Sequence, residues 1–348
     1  MTPRDRVIKT LNHEPVDVTP RDLWVVPGIE MSRSDELEEV NLLYPSDIVR
    51  PDFRYPRGQR AKGTPYVVGQ YTDGWGCVWQ VVQQGTVGRV QAGPLAELSK
   101  LATYRPPYDL LEGFNLSQIN RDCAATTRFV LAWTEVRPFE RMQWLHGTEA
   151  TLADLAYGSR PLRQLLAMLH EFFCREMELW AATDVDGAVF RDDWGSQTAL
   201  LVCPELWRDL FKPLYRDYCE ILHAKDKFAF FHSDGFIQEI FGDLVEVGID
   251  AIHSQLSCMN LPGLARQFRG RVTFWAEVDR LRLLPLGKPS EIRAAVQQLQ
   301  RELDFGRGGV IAQCEWGLDV PLKNIVAVFE QWLQPLAMRE PAPVAKRA

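Results

Sequence analysis

A histidine, an aspartate and a cysteine stand at the ends of two apolar runs in the sequence. His232 and Asp234 follow the run 228–231, and Cys314 follows the run 309–313. A short apolar run closed by polar residues is typical of a buried parallel strand. Because α/β proteins carry their chemistry where such strands end, the three side chains are predicted to converge at one rim of a sheet.

His232 and Asp234 are two residues apart, so in an extended backbone both side chains point to the same side. Imidazole, thiolate and carboxylate groups all bind zinc, and catalytic zinc sites use three protein ligands and one open position. His232, Asp234 and Cys314 are therefore candidate metal ligands. Two other interpretations are open: the His-x-Asp pair also fits a hydrogen-bond network, and a single cysteine also fits a small buried apolar residue.

Polar side chains follow the other apolar runs as well. They are Asp22, Trp24, Glu135, Arg137, Arg191, Asp192, Asp193, His253, Gln255, Glu277, Asp279 and Glu315. Asp192 and Asp193 form a carboxylate pair that could orient a cationic or hydroxylated ligand, and Asp192 is taken as a candidate catalytic residue. The alternative is that the pair caps the next helix by accepting from its free amides. His253 is expected to be structural.

Eight segments have the composition of buried strands, and helical patterns separate most of them. The strand segments are 19–25, 46–52, 128–133, 186–191, 227–232, 249–254, 271–276 and 309–313. The clearest helical segments are 162–182, 204–223 and 290–303. This alternation predicts a parallel sheet closed into a (β/α)8 TIM barrel. The rival, an open doubly wound sheet, is disfavoured because residues 23–28 contain one glycine and no phosphate-binding fingerprint.

Two regions do not follow the alternation of strands and helices. A helical segment precedes the first strand, and residues 57–89, rich in Gly, Tyr and Trp, predict a β-hairpin excursion between strands 2 and 3. The chain is predicted to form a single domain over residues 1–336. Residues 337–348, with two prolines and a basic end, are predicted to be a disordered tail.

Composition limits the classes of partner and compartment. The net charge of -7 and the pI near 5.5 argue against nucleic acid as the main ligand. Seven scattered cysteines without a CxxC pair lead us to expect a reducing, cytoplasmic compartment. No signal-like segment is present and no apolar window approaches the roughly 18 residues of a membrane span, so we expect no membrane association.

Several motifs together resemble the superfamily of uroporphyrinogen decarboxylase and the cobalamin-dependent methyltransferases. They are the opening 1–20 with its turn Asn12-His13-Glu14-Pro15-Val16-Asp17, the signature His232-Ser233-Asp234-Gly235, and the segments 248–251, 274–279 and 319–325. The likeness spans nearly the whole chain. It implies a (β/α)8 barrel with its site at the strand ends.

The superfamily includes decarboxylases and methyltransferases, and this chain resembles the methyltransferases more closely. Decarboxylases carry an early Arg-Gln-Ala-Gly-Arg motif for substrate carboxylates, and residues 21–27 of this chain lack it. The methyltransferase branch holds zinc on a His-x-Cys pair after the fifth strand and a Cys after the eighth. His232 and Cys314 match the first and last of these positions, whereas Asp234 replaces the middle cysteine with a harder ligand.

The resemblance implies a zinc-dependent methyltransferase that moves a methyl group between a corrinoid (cobalamin) on a separate protein and a small molecule. Glu277 or Gln255 would serve as a further ligand or proton partner. Two alternatives are open: a decarboxylase that uses Asp192 or Asp193 with Arg191, and a non-catalytic barrel that binds a tetrapyrrole or a corrinoid protein. A monomer or a homodimer is expected.

Overall fold

The structure is a computed structural model, and it describes residues 1–334. The strands are β1 (Arg21–Val25), β2 (Ile48–Val49), β3 (Gly69–Thr72), β4 (Val78–Val81), β5 (Arg89–Ala92), β6 (Phe129–Trp133), β7 (Gly187–Arg191), β8 (Phe228–Ser233), β9 (Ala251–Ser254), β10 (Thr273–Ala276) and β11 (Val310–Trp316). The predicted tail, residues 337–348, lies outside the described residues.

Helices connect most of these strands. The α-helices are α1 (Pro3–Leu11), α2 (Pro27–Ser32), α3 (Ser34–Leu43), α4 (Asp109–Glu112), α5 (Leu116–Ala124), α6 (Pro138–His146), α7 (Thr148–Tyr157), α8 (Arg160–Ala181), α9 (Pro204–Leu210), α10 (Lys212–His223), α11 (Phe241–Glu246), α12 (Leu261–Phe268), α13 (Leu283–Leu286), α14 (Pro289–Leu303) and α15 (Leu322–Trp332). Short 3₁₀ helices cover Leu98–Ala102 and Leu256–Cys258. No helix within residues 1–334 combines the length and the apolar character needed to cross a membrane.

Eight of the strands form a nearly closed parallel barrel in the order β1-β11-β10-β9-β8-β7-β6-β2. At the seam between β1 and β2, the Asp47 N–H donates to the Arg21 carbonyl at 2.8 Å. The Asp47 carboxylate accepts from the Arg21 N–H at 2.8 Å. The predicted (β/α)8 barrel is confirmed, and β2 is shorter than the predicted segment 46–52.

The barrel interior is filled by apolar side chains and is closed at its N-terminal end by α1. Interior residues include Trp24, Ile48, Phe129, Leu131, Val189, Phe230, Ala251, Trp275 and Ile311, and Val7 and Leu11 of α1 pack against them. Arg4 binds Asp186 and Arg6 binds Asp47, so α1 is also held by ion pairs. Only the C-terminal end of the barrel, its mouth, is therefore left open for a site.

The excursion between β2 and β6 forms a small antiparallel sheet in the order β3-β4-β5. The predicted hairpin is confirmed and gains a third strand. The Gly28 N–H after β1 donates to the Gly85 carbonyl at 3.1 Å, and the Cys77 thiol lies 3.3 Å from the Trp144 carbonyl of α6. These contacts fix the small sheet beside the mouth.

Candidate functional site

Alternation along β7 and β8 decides which side chains reach the mouth. Phe230 of β8 and Val189 of β7 lie in the barrel interior, so His232 and Arg191, two residues later, point the same way. Arg191 and His232 are register partners in the β7–β8 pair. Asp193, two residues beyond Arg191, is consequently placed beside the end of β8.

Asp193, His232 and Asp234 converge at this end of the barrel, with one ligand atom of each lying within 4.8 Å of the others. His232 Nε2 is 3.6 Å from Asp193 Oδ1 and 3.6 Å from Asp234 Oδ1. The exposed fractions of the three side chains are 38%, 11% and 31%. Two carboxylates and one imidazole thus face a common point that is accessible from the mouth.

Backbone hydrogen bonds between the loops after β7 and β8 hold this arrangement. The Asp234 N–H donates to Asp193 Oδ1 at 2.8 Å, and the Gly195 N–H donates to the Asp234 carbonyl at 3.2 Å. Gly235 has a φ of +78°, and a Cβ there would overlap the Gly195 carbonyl oxygen. A glycine after Asp234 is therefore required for the two loops to approach each other.

The charges in this cluster are poorly balanced. Loss of water contact and the neighbouring Asp234 carboxylate raise the pKa of Asp193 to about 7. Burial and the adjacent His253 hold the pKa of His232 well below its usual range. A neutral imidazole beside two repelling carboxylates is a suitable donor set for a cation.

A second histidine supports His232 from behind. The Nδ1 atoms of His232 and His253 are 2.5 Å apart, so one nitrogen donates and the other accepts. His253 Nε2 lies 3.4 Å from Glu277 Oε2. Burial opposes the charge of His253, but Glu277 outweighs it and raises the pKa of His253. When His232 donates from Nδ1, the lone pair of its Nε2 faces the two carboxylates, which is the form that binds a cation.

Trp24 of β1 forms the floor under the two histidines. Its ring centroid lies 5.2 Å from that of His232 and 4.7 Å from that of His253. The indole N–H donates to Asp22 at 2.8 Å, and burial raises the pKa of Asp22 to about 6. This packing fixes the plane of both imidazole rings and separates them from the apolar interior.

Arg280, in the loop after β10, links the acidic side chains of the opposite wall. It binds Asp234, and its Nη1 donates to Glu315 Oε2 at 2.7 Å. Its Nε lies 3.8 Å from Glu277 Oε2. Arg280 therefore holds one oxygen of Asp234 and leaves the other, Oδ1, buried without a hydrogen-bond partner among the described residues.

Cys314 is not brought to this cluster. On β11, Ile311 packs in the barrel interior, whereas Val310, Ala312 and Cys314 pack in the layer between strands and helices. The parallel register pairs Cys314 with Leu23 and Glu315 with the inward-facing Trp24. Burial raises the pKa of the Cys314 thiol, as expected for an apolar environment. Cys314, the predicted ligand from the eighth barrel strand, thus faces outward, whereas the next residue, Glu315, faces the barrel interior.

Asp192 also faces outward, unlike the adjacent Asp193. Its fully buried carboxylate accepts from the N–H groups of Phe139 and Glu140 at 2.9 and 2.8 Å and from the Tyr215 hydroxyl at 2.6 Å. These amides begin α6, which follows β6. Asp192 therefore satisfies the free amides of an earlier helix, not those of the next helix as the alternative interpretation had it. The structure places this candidate catalytic residue in a structural role.

Gln255 and Glu277, the other two candidates, do lie at the mouth. The Gln255 side-chain oxygen accepts from the Gly235 N–H at 3.0 Å and from Gln197 at 2.8 Å, so it positions the loop that carries Asp234. Glu277 reaches the cluster through His253 and Arg280. Arg280 was not identified from the sequence. Asp193 and His253 were recognised as strand-end residues, but Asp193 was given a role only in the decarboxylase alternative and His253 was expected to be structural.

Two distances in the cluster fit a divalent cation. An ion bound tetrahedrally at about 2.0–2.2 Å separates two of its ligand atoms by about 3.3–3.6 Å. The two distances from His232 Nε2 are 3.6 Å, and the buried, unpartnered Asp234 Oδ1 is one of the atoms involved. Asp193, His232 and Asp234 would hold the ion. Their oxygen-rich set is harder than the thiolate set that the resemblance implied.

Solved structures of other proteins resemble this chain to different degrees. A methyltransferase from Methanosarcina mazei superposes with a TM-score of 0.71 at 15% sequence identity, over 95% of this chain and 98% of that chain. A glycosylated endo-β-1,4-xylanase from Gloeophyllum trabeum gives a TM-score of 0.46 at 10% identity, over 94% of this chain and 99% of that chain. Among curated proteins, no sequence matches significantly.

The family assignment comes from the sequence of the second half of the barrel. Residues 138–332, more than half of the chain, match the family described as uroporphyrinogen decarboxylase (URO-D). This segment contains β7 to β11 and therefore every member of the Asp193, His232 and Asp234 cluster. The chain belongs to the uroporphyrinogen decarboxylase (URO-D) family.

Proposed function

We infer that this protein is a metal-dependent methyltransferase that moves a methyl group between a corrinoid carried by a partner protein and a small-molecule donor or acceptor. The observation that carries this proposal is the open donor set formed by Asp193, His232 and Asp234. The fold likeness to a protein named as a methyltransferase supports it. The corrinoid and its partner protein are expected from the resemblance of the sequence alone.

A bound zinc or similar divalent ion would supply Lewis acidity, lowering the pKa of a thiol or polarising a methoxy oxygen. The protein residues have separate tasks. Asp193 and Asp234 provide negative charge at the mouth, and His232 provides a neutral nitrogen. His253 and Trp24 fix the orientation of that nitrogen. Glu277 lies 3.4 Å from His253 and is the nearest group that can exchange a proton with the histidine pair.

The test is an anaerobic methyl-transfer assay with methylcobalamin as the methyl donor and 2-mercaptoethanol as the acceptor. The thiolate sulfur takes the methyl group, and the cobalt-carbon electron pair stays on cobalt, which gives a thioether and cob(I)alamin. Enzyme-dependent appearance of both products is expected, together with their loss in His232→Ala. A parent protein that accelerates neither this reaction nor its reverse, while containing the metal, would contradict the proposal.

A carboxy-lyase is the second candidate, because Arg191 and Asp193, two residues apart, both point to the mouth. The proposal expects no decarboxylation of uroporphyrinogen, since Arg21 lies at the opposite end of β1, 4.0 Å from Asp47. Anaerobic incubation with uroporphyrinogen, followed by chromatography of the oxidised porphyrins, tests this expectation. Stepwise loss of carboxylates at an enzymatic rate would favour the carboxy-lyase.

A further inference from the structure

Five arginines lie around the barrel mouth, and they differ in whether a carboxylate neutralises them. Arg137 is 3.6 Å from Glu140, Arg141 is 2.7 Å from Glu135, and Arg280 binds Asp234 and Glu315. Within residues 1–334, neither Arg50 nor Arg191 has a carboxylate oxygen within 4.0 Å of its guanidinium. These two guanidinium groups therefore make no close ion pair, and the carboxylates that act on them, Asp22 and Glu30 for Arg50 and Glu135 and Glu140 for Arg191, lie farther away.

Arg50 and Arg191 meet on one aromatic ring. The guanidinium carbon of Arg50 lies 3.3 Å from the centroid of Trp133, and that of Arg191 lies 4.3 Å from it. Arg50 follows the inward-facing Ile48 by two residues and therefore points to the mouth. Because both cations lie within 4.3 Å of the centre of one ring, an anion bound beside that ring would be attracted by both.

The hydrogen-bond donors of this pair are largely unused. Arg191 donates from Nη2 to the Thr134 carbonyl at 3.3 Å, and its buried Nε has no partner among the described residues. A guanidinium fork with free donors matches the geometry of carboxylate and phosphate oxygens.

The pair adjoins the candidate metal centre. Arg191 is the register partner of His232. The centroid of the Trp133 ring lies 5.0 Å from that of Trp24, and the Trp24 ring lies under His232. A molecule whose anionic group sits on the arginines would thus extend over the tryptophans toward Asp193 and Asp234. Its anionic group and its reacting group would then lie over two adjacent strands, β7 and β8.

We propose that Arg50 and Arg191 form a subsite for an oxyanion group of the substrate, a carboxylate or a phosphate, seated over Trp133 beside the metal centre. The proposal rests on the proposed function in one respect: the molecule that carries the anion is taken to be the methyl donor or acceptor. Anion binding itself does not depend on methyl transfer and can be measured separately.

The test is a ligand-observed NMR titration of the full chain with benzoate at low ionic strength. Benzamide serves as the neutral control of the same shape, and inorganic phosphate distinguishes a carboxylate site from a phosphate site. We expect one of the two anions to bind, and the Kd of benzamide to exceed that of the preferred anion about tenfold or more. Equal binding of benzoate and benzamide, without binding of phosphate, would overturn the proposal.

Single substitutions of the two arginines test whether the anion binds at this subsite. Arg50→Gln and Arg191→Gln are each expected to raise the Kd of the preferred anion about tenfold or more, and Arg191→Lys less, because lysine keeps the charge without the fork. Arg175→Gln is the matched control. Arg175 also stacks on an aromatic ring, 4.8 Å from the Tyr108 centroid, but lies on the exposed surface of α8. An unchanged Kd in both mouth variants would refute the subsite, and Arg50→Gln decides alone if Arg191→Gln does not fold.

A second measurement separates failure of the subsite from failure of the proposed function. Mn²⁺ added to the parent should broaden the benzoate ring protons, or the phosphate ³¹P signal, if the ion and the anion bind side by side. Tight anion binding without broadening would leave the arginine subsite intact and count against the metal centre. Loss of anion selectivity with the metal bound would count against the subsite alone.

Discussion

Replacing Asp192 with alanine tests whether the two adjacent carboxylates, Asp192 and Asp193, have different roles. The Asp192 carboxylate is fully buried and accepts three hydrogen bonds, from the N–H groups of Phe139 and Glu140 and from the Tyr215 hydroxyl. Asp192→Ala leaves all three donors without this acceptor in the interior. We therefore expect a loss of folding stability and no direct loss of metal binding.

The size of the effect follows from those contacts. Loss of a side chain that satisfies the first amides of a helix costs about 0.5–2 kcal/mol. A buried hydroxyl such as that of Tyr215, left without a partner, costs a further 1–3 kcal/mol, approximately. The expected decrease in the free energy of unfolding is about 1.5–5 kcal/mol, a large part of the roughly 5–15 kcal/mol of a typical domain.

Equilibrium urea unfolding followed by circular dichroism measures this decrease through the midpoint. Asp184→Ala is the control. The exposed Asp184 carboxylate accepts no hydrogen bond from the described residues, and Asp184 lies shortly before β7, the strand that Asp192 follows. Asp193→Asn should leave the midpoint near that of the parent and should weaken metal binding. An Asp192→Ala protein as stable as Asp184→Ala, but without activity, would refute the structural role assigned to Asp192.

Two further predictions concern burial and backbone geometry. Burial and the neighbouring Glu135 raise the pKa of Glu176 to about 8. The folded pKa exceeds the unfolded value of about 4.3, so the free energy of unfolding should fall as pH rises between them, by up to about 1.4 kcal/mol per pH unit. Glu176→Gln should remove this slope in urea unfolding between pH 5 and 8; an unchanged slope would show that Glu176 is ionised. Gly235→Ala should lower the urea midpoint and the metal content far more than Gly306→Ala, because both glycines have positive φ but only a Cβ at Gly235 would strike the Gly195 carbonyl. Equal effects of the two substitutions would contradict the loop packing.

The barrel could be predicted because each strand segment is a short apolar run with a polar end. The run 228–231 and its polar end correspond to β8, which covers Phe228–Ser233. The N-terminal helix was predicted, but its position as the plug of the barrel was not, because that depends on its packing against strands that are distant in sequence. Burial of Val7 among interior residues shows this packing.

The candidate site residues lie at the C-terminal ends of the strands, as expected, but two of them, Cys314 and Asp192, face away from the barrel mouth. A shift of one residue along a strand moves a side chain to the opposite face of the sheet. Cys314 and Asp192 end apolar runs, yet Glu315 and Asp193 are the residues in the inward-facing series. Gln313 and Glu315, alternate polar residues at the end of β11, were the signal in the sequence that could have identified the inward face.

Contacts between separate loops could not be predicted from spacing. Arg280 belongs to no strand end, and its binding to Asp234 depends on how the loops after β8 and β10 approach each other. The contact between His232 and His253 depends on the register of β8 and β9, which pairs these two residues. Local sequence patterns contain neither kind of information.

The central claim is that Asp193, His232 and Asp234 hold a divalent ion, and metal content tests it most directly. Elemental analysis after gel filtration should show zinc, or another divalent ion, in the parent at one ion per chain. Asp193→Asn and His232→Ala should lose most of it. Cys314→Ser should retain it, because the thiol faces away from the cluster. If Asp193→Asn kept its full metal content and Cys314→Ser lost the metal, the assignment of Asp193, His232 and Asp234 as the ligands would be contradicted.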